Sequence, residues 1–307
     1  MKTLLKTIVM TCFALALGQT YAQDAKAPAT PAAPAVQAPA AQVSQPAAPA
    51  EEAPVCPLKA VAENFSAELS VGFESQYNFR GLKCAGASFV VDLTLGYNLA
   101  ENWDIYADAW DNLPLQNSDE APNELDLSVG TTYNLKGFVF DFGYLYYWYT
   151  DGAAVDGTFS GTHELKFGVS YDLSDIIADF SETVADMAIT PSVYYFYDLT
   201  MHANTVEAAI SARIPVSKWI LGERHDFLGI EASVYYGFSN IYRHKVDGVV
   251  SRYNEGYNYV GGKADLVYTV TDNCALSVGV RYATNDLDPD GKGEQNIWMG
   301  AAAKFSY

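Results

Sequence analysis

Most of this chain alternates between apolar and polar side chains with a period of two residues. In the stretch "FVFDFGYLYYWY", residues 138–149, Phe140 and Phe142 flank Asp141, and the same order recurs on either side of them. A period of two places successive side chains on opposite faces of an extended backbone. The pattern predicts β-strands that each have one apolar and one polar face.

Twelve segments of this kind follow one another from residue 66 onward. They lie near 66–80, 87–99, 103–111, 123–135, 138–150, 162–173, 188–199, 204–216, 227–242, 257–270, 274–285 and 294–307. An even number of antiparallel strands allows the last strand to pair with the first and places both termini at one end. The count predicts a closed barrel of about twelve strands within residues 56–307.

The connections between these segments alternate in length. If the first strand starts in the periplasm, the external connections are long, as in "DNLPLQNSDEAPN", and internal ones such as "LAEN" and "NLKG" are short. Long external loops and short periplasmic turns are typical of outer-membrane barrels. Two internal connections, residues 174–188 and 216–226, are long exceptions, and we expect a short amphipathic helix in the first.

The aromatic content favours a membrane barrel over a soluble β-sandwich. The chain holds 22 Tyr, 15 Phe and 5 Trp, which crowd toward the ends of the apolar faces. Aromatic girdles at both membrane interfaces have this distribution, whereas a soluble protein would expose many of these rings to water. Beyond the first residues there is no run of about 20 apolar residues, so no transmembrane helix is expected. The predicted fold class is therefore all-β, a transmembrane up-and-down antiparallel β-barrel.

The N-terminal part differs in composition from the predicted barrel. Residues 1–22 combine Lys2 and Lys6 with an apolar run and the small residue Ala22, which predicts a secretory signal peptide. Residues 23–55 consist mostly of Ala and Pro without apolar periodicity, so we expect an extended, disordered periplasmic linker. This linker is either a plain spacer or an arm that contacts peptidoglycan or another partner.

The stretch "GFESQYNFRGLK" resembles the first strand of the TorF family of porins, which typically reads Ser-x-Tyr-x-Phe-Arg-Gly. The matching residues are Ser75, Tyr77, Phe79, Arg80 and Gly81. The resemblance covers about residues 66–307, which have the same acidic, aromatic-rich layout, and the sequence departs from it at Lys83 and Cys84. The resemblance implies an outer-membrane channel without catalytic residues and without a defined substrate.

The alternation in this stretch continues to residue 80, so we expect one uninterrupted first strand. Phe73, Tyr77 and Phe79 would then face lipid, and Glu74 and Arg80 would face water. Arg80 would be either an interfacial charge that faces solvent or a neighbouring acid, or a counter-charge in an acidic pore.

The last predicted strand alternates up to a terminal aromatic residue. Its apolar face carries Met299, Ala301, Ala303, Phe305 and Tyr307. The pattern is similar to the C-terminal signal by which the barrel-assembly machinery recognises outer-membrane proteins. We therefore expect this machinery and outer-membrane lipid as partners, and the alternative is a final strand that simply ends on an aromatic residue.

The polar faces carry the charges that would line a lumen. By alternation, fourteen acids and six bases point inward. The predicted pore-lining residues are Glu74, Arg80, Asp92, Asp126, Asp141, Glu164, Lys166, Glu207, Arg213, Glu231, Lys263, Asp265 and Arg281. A narrow, low-dielectric passage with surplus acids concentrates cations and repels anions. The alternative is that these charges pair across the lumen and plug a small barrel, although the acids outnumber the bases too far to pair completely.

Other function classes have less support. The net charge is −19 and there is no basic stripe, so nucleic acid is not expected as a partner. The histidines His163, His202, His225 and His244 fall at predicted strand ends or in connections and form no recognisable triad with a serine. The segment "DLDPDG", residues 286–291, begins like a calcium loop but lacks the Glu that completes one, which favours an acidic turn. We expect no enzyme activity, no cofactor and no metal.

Three cysteines remain beyond the predicted signal peptide. Cys56 and Cys274 are both expected on the periplasmic side, and Cys84 on the external side. The oxidising compartment allows a Cys56–Cys274 disulfide, and the alternative is three free thiols.

Together these patterns favour a porin-like channel in the bacterial outer membrane. Small hydrophilic solutes would diffuse through it passively, with a preference for cations. The alternative is a non-conducting structural barrel that anchors or contacts the envelope through the Ala/Pro-rich linker. The sequence leaves the solute and the oligomeric state open.

Overall fold

The computed structural model describes residues 64–115, 123–149, 161–179, 186–222, 226–240, 242–246, 249–253, 256–287 and 295–307. The strands in this part of the chain are β1 (Phe65–Glu74), β2 (Tyr77–Phe79), β3 (Leu82–Ala85), β4 (Ser88–Ala100), β5 (Trp103–Pro114), β6 (Glu124–Leu135), β7 (Phe138–Tyr149), β8 (Gly161–Tyr171), β9 (Ala188–Asp198), β10 (Ala203–Ile214), β11 (Leu228–Ser239), β12 (Tyr242–Val246), β13 (Val249–Tyr253), β14 (Tyr257–Thr271), β15 (Cys274–Asn285) and β16 (Gln295–Ser306). Two short helices, α1 (Ser174–Ala178) and α2 (Val216–Leu221), follow β8 and β10. No helix among these residues is both long and apolar enough to cross a membrane.

Twelve of the described strands form one closed antiparallel barrel, which confirms the predicted fold class. Their order is β1-β16-β15-β14-β11-β10-β9-β8-β7-β6-β5-β4, and β4 pairs again with β1. The last strand closes the barrel on the first, with Glu68 opposite Ser306 and Glu74 opposite Gly300. Strands β2 and β3 form a separate hairpin, and so do β12 and β13.

The two ends of the barrel differ. At the end that holds Phe65 and Ser306, here called the terminal end, two-residue turns join β4 to β5, β6 to β7 and β14 to β15. The opposite end, here called the loop end, carries both separate hairpins. The two long connections at the terminal end contain α1 and α2, and the short helix predicted for the first of them is confirmed.

The barrel is apolar outside and polar inside, the reverse of a soluble protein. Val129, Phe142 and Leu276 are exposed on the outer face, whereas Asp126 and Glu164 are buried on the inner face. Apolar surface is unfavourable in water by roughly 25 cal/mol per Å², so an exterior of this kind is stabilised by contact with lipid chains. The alternation in the sequence thus reports which face of each strand meets lipid.

The first wall strand is shorter than the alternation predicts, because β1 ends at Glu74 and not near residue 80. The Ser75 N–H donates to the Met299 carbonyl at 2.8 Å, the Met299 N–H donates to the Ser75 hydroxyl at 2.9 Å, and the chain then leaves the wall. The prediction that Tyr77 and Phe79 face lipid is wrong, since both lie in β2 and line the interior. A hairpin inside a lumen alternates as a wall strand does, so periodicity does not distinguish the two.

Candidate functional site: a charged lumen with an inward hairpin

The hairpin of β2 and β3 occupies the lumen at the loop end. Its tip is Arg80-Gly81, with φ angles of 48° and 78°, the left-handed pair that a two-residue β-hairpin turn requires. Gly81 is also needed for space, because a Cβ atom there would lie 2.5 Å from the Cβ of Tyr259 on β14. The Asn285 side chain on β15 donates to the Gly81 carbonyl at 2.8 Å. Contacts of its backbone therefore fix the tip against one side of the wall.

The Arg80 side chain continues from the tip to the opposite wall. Its Nη1 and Nη2 donate to Oε1 and Oε2 of Glu164 on β8, at 2.7 and 2.8 Å. The rings of Phe79 and Phe196 lie 4.7 and 4.6 Å from the guanidinium carbon, and the Tyr147 hydroxyl donates to Glu164 at 2.8 Å. Bidentate pairing and stacking between rings both depend on the planar guanidinium, which lysine lacks.

This ion pair is almost completely removed from solvent, with the Arg80 and Glu164 side chains only 11% and 4% exposed. Burial lowers the pKa of Arg80, but the Glu164 carboxylate and the nearby Tyr147 and Tyr259 together raise the pKa by more, so it lies above its ordinary value. Arg80 therefore stays charged and does not face solvent. Removing either partner would leave an uncompensated charge in the interior.

A second buried pair lies deeper in the same half of the lumen. Lys166 Nζ is 2.8 Å from Asp141 Oδ2, and both side chains are buried. The Tyr106 hydroxyl donates to Asp141 Oδ1 at 2.9 Å. The ammonium also lies over the Tyr106 ring at 4.9 Å and the Tyr194 ring at 5.8 Å. These contacts fill the lumen between β5, β7, β8 and β9.

Two further bases are paired on the other side of the barrel. Arg281 donates to Asp265 at 2.5 Å and to Glu74 at 3.1 Å. Toward the terminal end, Lys304 Nζ lies 2.8 Å from Glu68 Oε2, and this pair is about a third exposed. Of these lumen pairs, Lys304–Glu68 lies nearest the terminal end and is the most exposed.

Several lumen acids have no ion pair among the described residues. They include Asp92, Glu124, Asp126 and Glu207. Glu207 instead accepts a hydrogen bond from the Tyr259 hydroxyl at 3.0 Å. Within the part of the chain that the structure describes, the lumen keeps a surplus of carboxylates after its ion pairs have formed.

Twelve of the predicted pore-lining residues are on wall strands and Arg80 is on the hairpin, and that they line a pore stays a prediction. Those that take part in the pairs described above are Glu74, Arg80, Asp141, Glu164, Lys166, Asp265 and Arg281. The remaining ones, for which the described chain shows no ion pair, are Asp92, Asp126, Glu207, Arg213, Glu231 and Lys263. Within this last set, strand register places Arg213 opposite Glu231, whereas Lys263 lies opposite Arg281 of the paired set.

Two predictions from the sequence fall on residues outside the described part. Cys274 begins β15 at the terminal end and is half-buried, but Cys56 is not among the described residues, so their disulfide stays a prediction. Most of the calcium-like segment at 286–291 is also outside. Its first residue, Asp286, accepts hydrogen bonds from Asn258 at 2.7 Å.

A cavity of about 250 Å³, here called the hairpin cavity, lies between the hairpin and the wall. Its lining includes Asp92 and Asp126, which the sequence predicted, and Trp110 and Asn78, which it did not. Register places Trp110 directly between Asp92 and Asp126 on adjacent strands. Alternation places Trp110 on the polar face of its strand, and an aromatic residue on that face is a signal that could have identified it. Alternation places Asn78 on the polar face of the first predicted strand, but it does not indicate that this segment folds inward as a hairpin.

No family model matches this chain, and no curated protein matches it. Among solved structures, an outer membrane channel from Pseudomonas putida F1 is 9% identical with a TM-score of 0.46, over 80% of this chain and 95% of that one. The NanC porin is 9% identical with a TM-score of 0.42, over 78% of this chain and 98% of the other. The KdgM porin is 8% identical with a TM-score of 0.42, over 79% and 99% of the two chains.

These similarities are too low to carry an argument about function. The class of fold rests on this chain's own strand pairing, which closes a twelve-stranded barrel. The TorF resemblance of residues 75–81 stays a prediction, because no family model matches the chain.

Proposed function

We propose that this protein is a porin-like channel of the bacterial outer membrane, similar to the TorF family, that admits small hydrophilic solutes and prefers cations. The proposal is carried by one observation, the surplus of lumen carboxylates over bases that remains after the described ion pairs have formed. Outer-membrane lipid and the barrel-assembly machinery are the partners that such a barrel needs, and the linker at 23–55 is a proposed contact to peptidoglycan.

The effect of the surplus carboxylates on ion selectivity depends on the shape of the lumen. Asp92 and Asp126 both line the hairpin cavity. A narrow passage with low-dielectric walls focuses the field of such charges, which raises the local concentration of cations and excludes anions. Passage alongside the hairpin would therefore favour cations over anions of equal size.

Planar lipid bilayers test this proposal directly. Purified barrel is added to one chamber, and the reversal potential is measured across a tenfold KCl gradient. Discrete conductance steps support the proposal if the sign of the reversal potential shows that K⁺ is more permeant than Cl⁻. Steps that favour Cl⁻ overturn the cation preference, and absence of any step at high protein concentration overturns the channel.

A second function, a non-conducting structural barrel, is favoured by the inward hairpin. The hairpin is held at its root by Ser75 and Met299 and at its tip by Glu164 and Asn285, so it narrows the loop end in a fixed position. If this constriction is complete, the barrel would serve to anchor the envelope through its linker. Conductance that appears only after the tip contacts are removed would support this second function.

We also infer that the barrel catalyses no reaction. The two histidines with described side chains contact tyrosines: His163 Nδ1 pairs with the Tyr144 hydroxyl, and His202 Nδ1 lies 3.2 Å from the Tyr197 hydroxyl. Both contacts are exposed at the loop end. Tyr rings, which have an apolar body and a polar hydroxyl, are common at membrane–water interfaces. A hydrolase assay with phospholipid and peptide substrates tests this inference, and turnover lost on His163→Ala would contradict it.

A further inference from the structure

Buried polar atoms without hydrogen-bond partners cluster on one arc of the lumen. Among the described residues, the side chains that carry them are Glu74, Gln76, Asn78, Asp92, Asn112, Asp126 and Asn296. These lie on β16, β1, the hairpin, β4, β5 and β6, which are neighbours in the barrel. Described residues on the remaining wall strands contribute none. Since buried polar groups in native proteins normally have partners, this cluster indicates a place where a ligand supplies them.

Asn78 and Asp126 carry the strongest signal. They are only 6% and 5% exposed, and both line the hairpin cavity. Among the residues that the structure describes, neither the Asn78 amide nitrogen nor its oxygen has a hydrogen-bond partner, and Asp126 Oδ1 has none. An amide side chain can donate twice and accept twice, so leaving both ends unused in the interior is unfavourable.

Aromatic rings line the same cavity. Trp110 lies between Asp92 and Asp126 in the strand register, and the Tyr77 ring lies 5.2 Å from the Trp110 ring. Trp298 contributes a second indole from β16, opposite Arg281. The cavity thus combines flat apolar faces with polar atoms at their edges, the arrangement of small-molecule sites that fix a ligand's orientation.

The polar atoms without partners that line the cavity include both donors and acceptors. Gln76 Nε2 and Asn78 Nδ2 donate, whereas Asn78 Oδ1, Asp92 Oδ1, Asp126 Oδ1 and Glu74 Oε2 accept. A bare cation would satisfy only the acceptors and an anion only the donors. A hydroxyl group both donates and accepts, so a ring that carries several hydroxyls satisfies both kinds at once.

We propose that the hairpin cavity is a binding site for a neutral sugar, with Trp110 packing on the sugar ring and Asn78, Gln76, Asp92 and Asp126 binding its hydroxyls. The volume of about 250 Å³ is near the lower limit of small-molecule pockets, which favours a mono- or disaccharide over a longer chain. The surplus of acids disfavours a sugar acid. The proposal deepens the proposed channel function, for which this site would select the solute.

Equilibrium binding in detergent tests the site without a membrane. The barrel is refolded in lauryldimethylamine oxide, whose head group carries no sugar, and is titrated with glucose, maltose and glucuronate while tryptophan fluorescence is recorded. We expect saturable binding of glucose or maltose and much weaker binding of glucuronate. Absence of saturation with both neutral sugars, or equal binding of glucuronate, overturns the proposal.

Variants locate the site. Trp110→Leu and Asn78→Leu are each expected to weaken sugar binding by about tenfold or more, because each removes a contact and leaves the other lining groups in place. Trp148→Leu removes an indole from the outer face and should leave binding unchanged. A Trp148→Leu effect as large as that of Trp110→Leu overturns the assignment. Asp126→Asn, which keeps the shape of the side chain, provides a second test if the leucine variants do not refold.

The same protein in planar bilayers separates this site from the channel. Sugar binding in detergent together with silent bilayers would leave the site standing and remove the channel. Conductance that neutral sugars do not alter, together with no binding in detergent, would remove the site and leave the channel.

Discussion

Arg80 and Glu164 are 84 positions apart in the sequence, and their side chains form two parallel hydrogen bonds across the lumen at 2.7 and 2.8 Å. One residue is at the tip of the first connection and the other is on a strand on the opposite side of the barrel. The pair makes the hairpin a fixed part of the lumen and sets how much space is left beside it.

Removing this pair should widen the passage. We expect Arg80→Ala to increase single-channel conductance and its fluctuations, and to lower the free energy of unfolding by about 3–5 kcal/mol, because Glu164 is left buried without a counter-charge. Bilayer recordings and urea unfolding in lipid vesicles measure the two effects. Lys83→Ala, an exposed lysine on the same hairpin, is the matched control and should change neither.

A methyl group at the hairpin tip should displace the hairpin. Gly81 has a φ of 78°, and a Cβ atom there would meet Tyr259 at 2.5 Å. We expect Gly81→Ala to destabilise the barrel by about 1–3 kcal/mol through backbone strain and contact with Tyr259. Gly86→Ala adds the same methyl group where no atom lies within 4 Å and should be neutral in urea unfolding. Equal stability of the two variants would contradict the packing of the tip.

The two lysine pairs should differ in their contribution to stability. Lys166 and Asp141 are buried, so Lys166→Met should cost about 3–5 kcal/mol and a second change, Asp141→Asn, should recover part of that loss. Lys304 and Glu68 are 34% and 25% exposed, so Lys304→Met should cost about 0–1 kcal/mol. Urea unfolding monitored by tryptophan fluorescence compares the variants. A larger effect at Lys304 than at Lys166 would contradict the burial of the Lys166 pair.

Neutralising the acids of the hairpin cavity should reduce ion selectivity. We expect the double variant Asp92→Asn, Asp126→Asn to shift the reversal potential in a KCl gradient toward zero, because both carboxylates lie beside the passage without an ion pair in the described chain. Asp175→Asn removes a charge from α1 at the terminal end and is the control. A similar shift in both would assign selectivity to the barrel rim.

The sequence predicts the wall of this barrel well because each strand repeats its own signal. Alternation places Phe142 outside and Asp141 inside without reference to any other strand. It also predicts twelve strands whose ends differ from the observed ones by a few residues, except at the first. There the period of two continues through Tyr77 and Phe79, although the chain has already left the wall at Ser75.

The sequence predicts the contents of the lumen less well. Alternation assigns Arg80 and Glu164 to polar faces, but it does not show which pairs of residues face each other across the barrel. The hairpin cavity depends on the same missing information, since Trp110 and Asn78 meet only when the first connection folds inward. Contacts of this kind are properties of the closed barrel and not of any single strand.

The position of the hairpin in the chain has a consequence for how the protein folds. It belongs to the first connection, yet Gly81 and its partner Asn285 are separated by 204 positions, and the Arg80 partner lies on β8. Contacts between such distant residues require most of the chain to be ordered first, which makes them late and slow to form. During assembly the lumen should therefore remain unobstructed until β15 is in place. The docked hairpin is then a mark of a completed barrel.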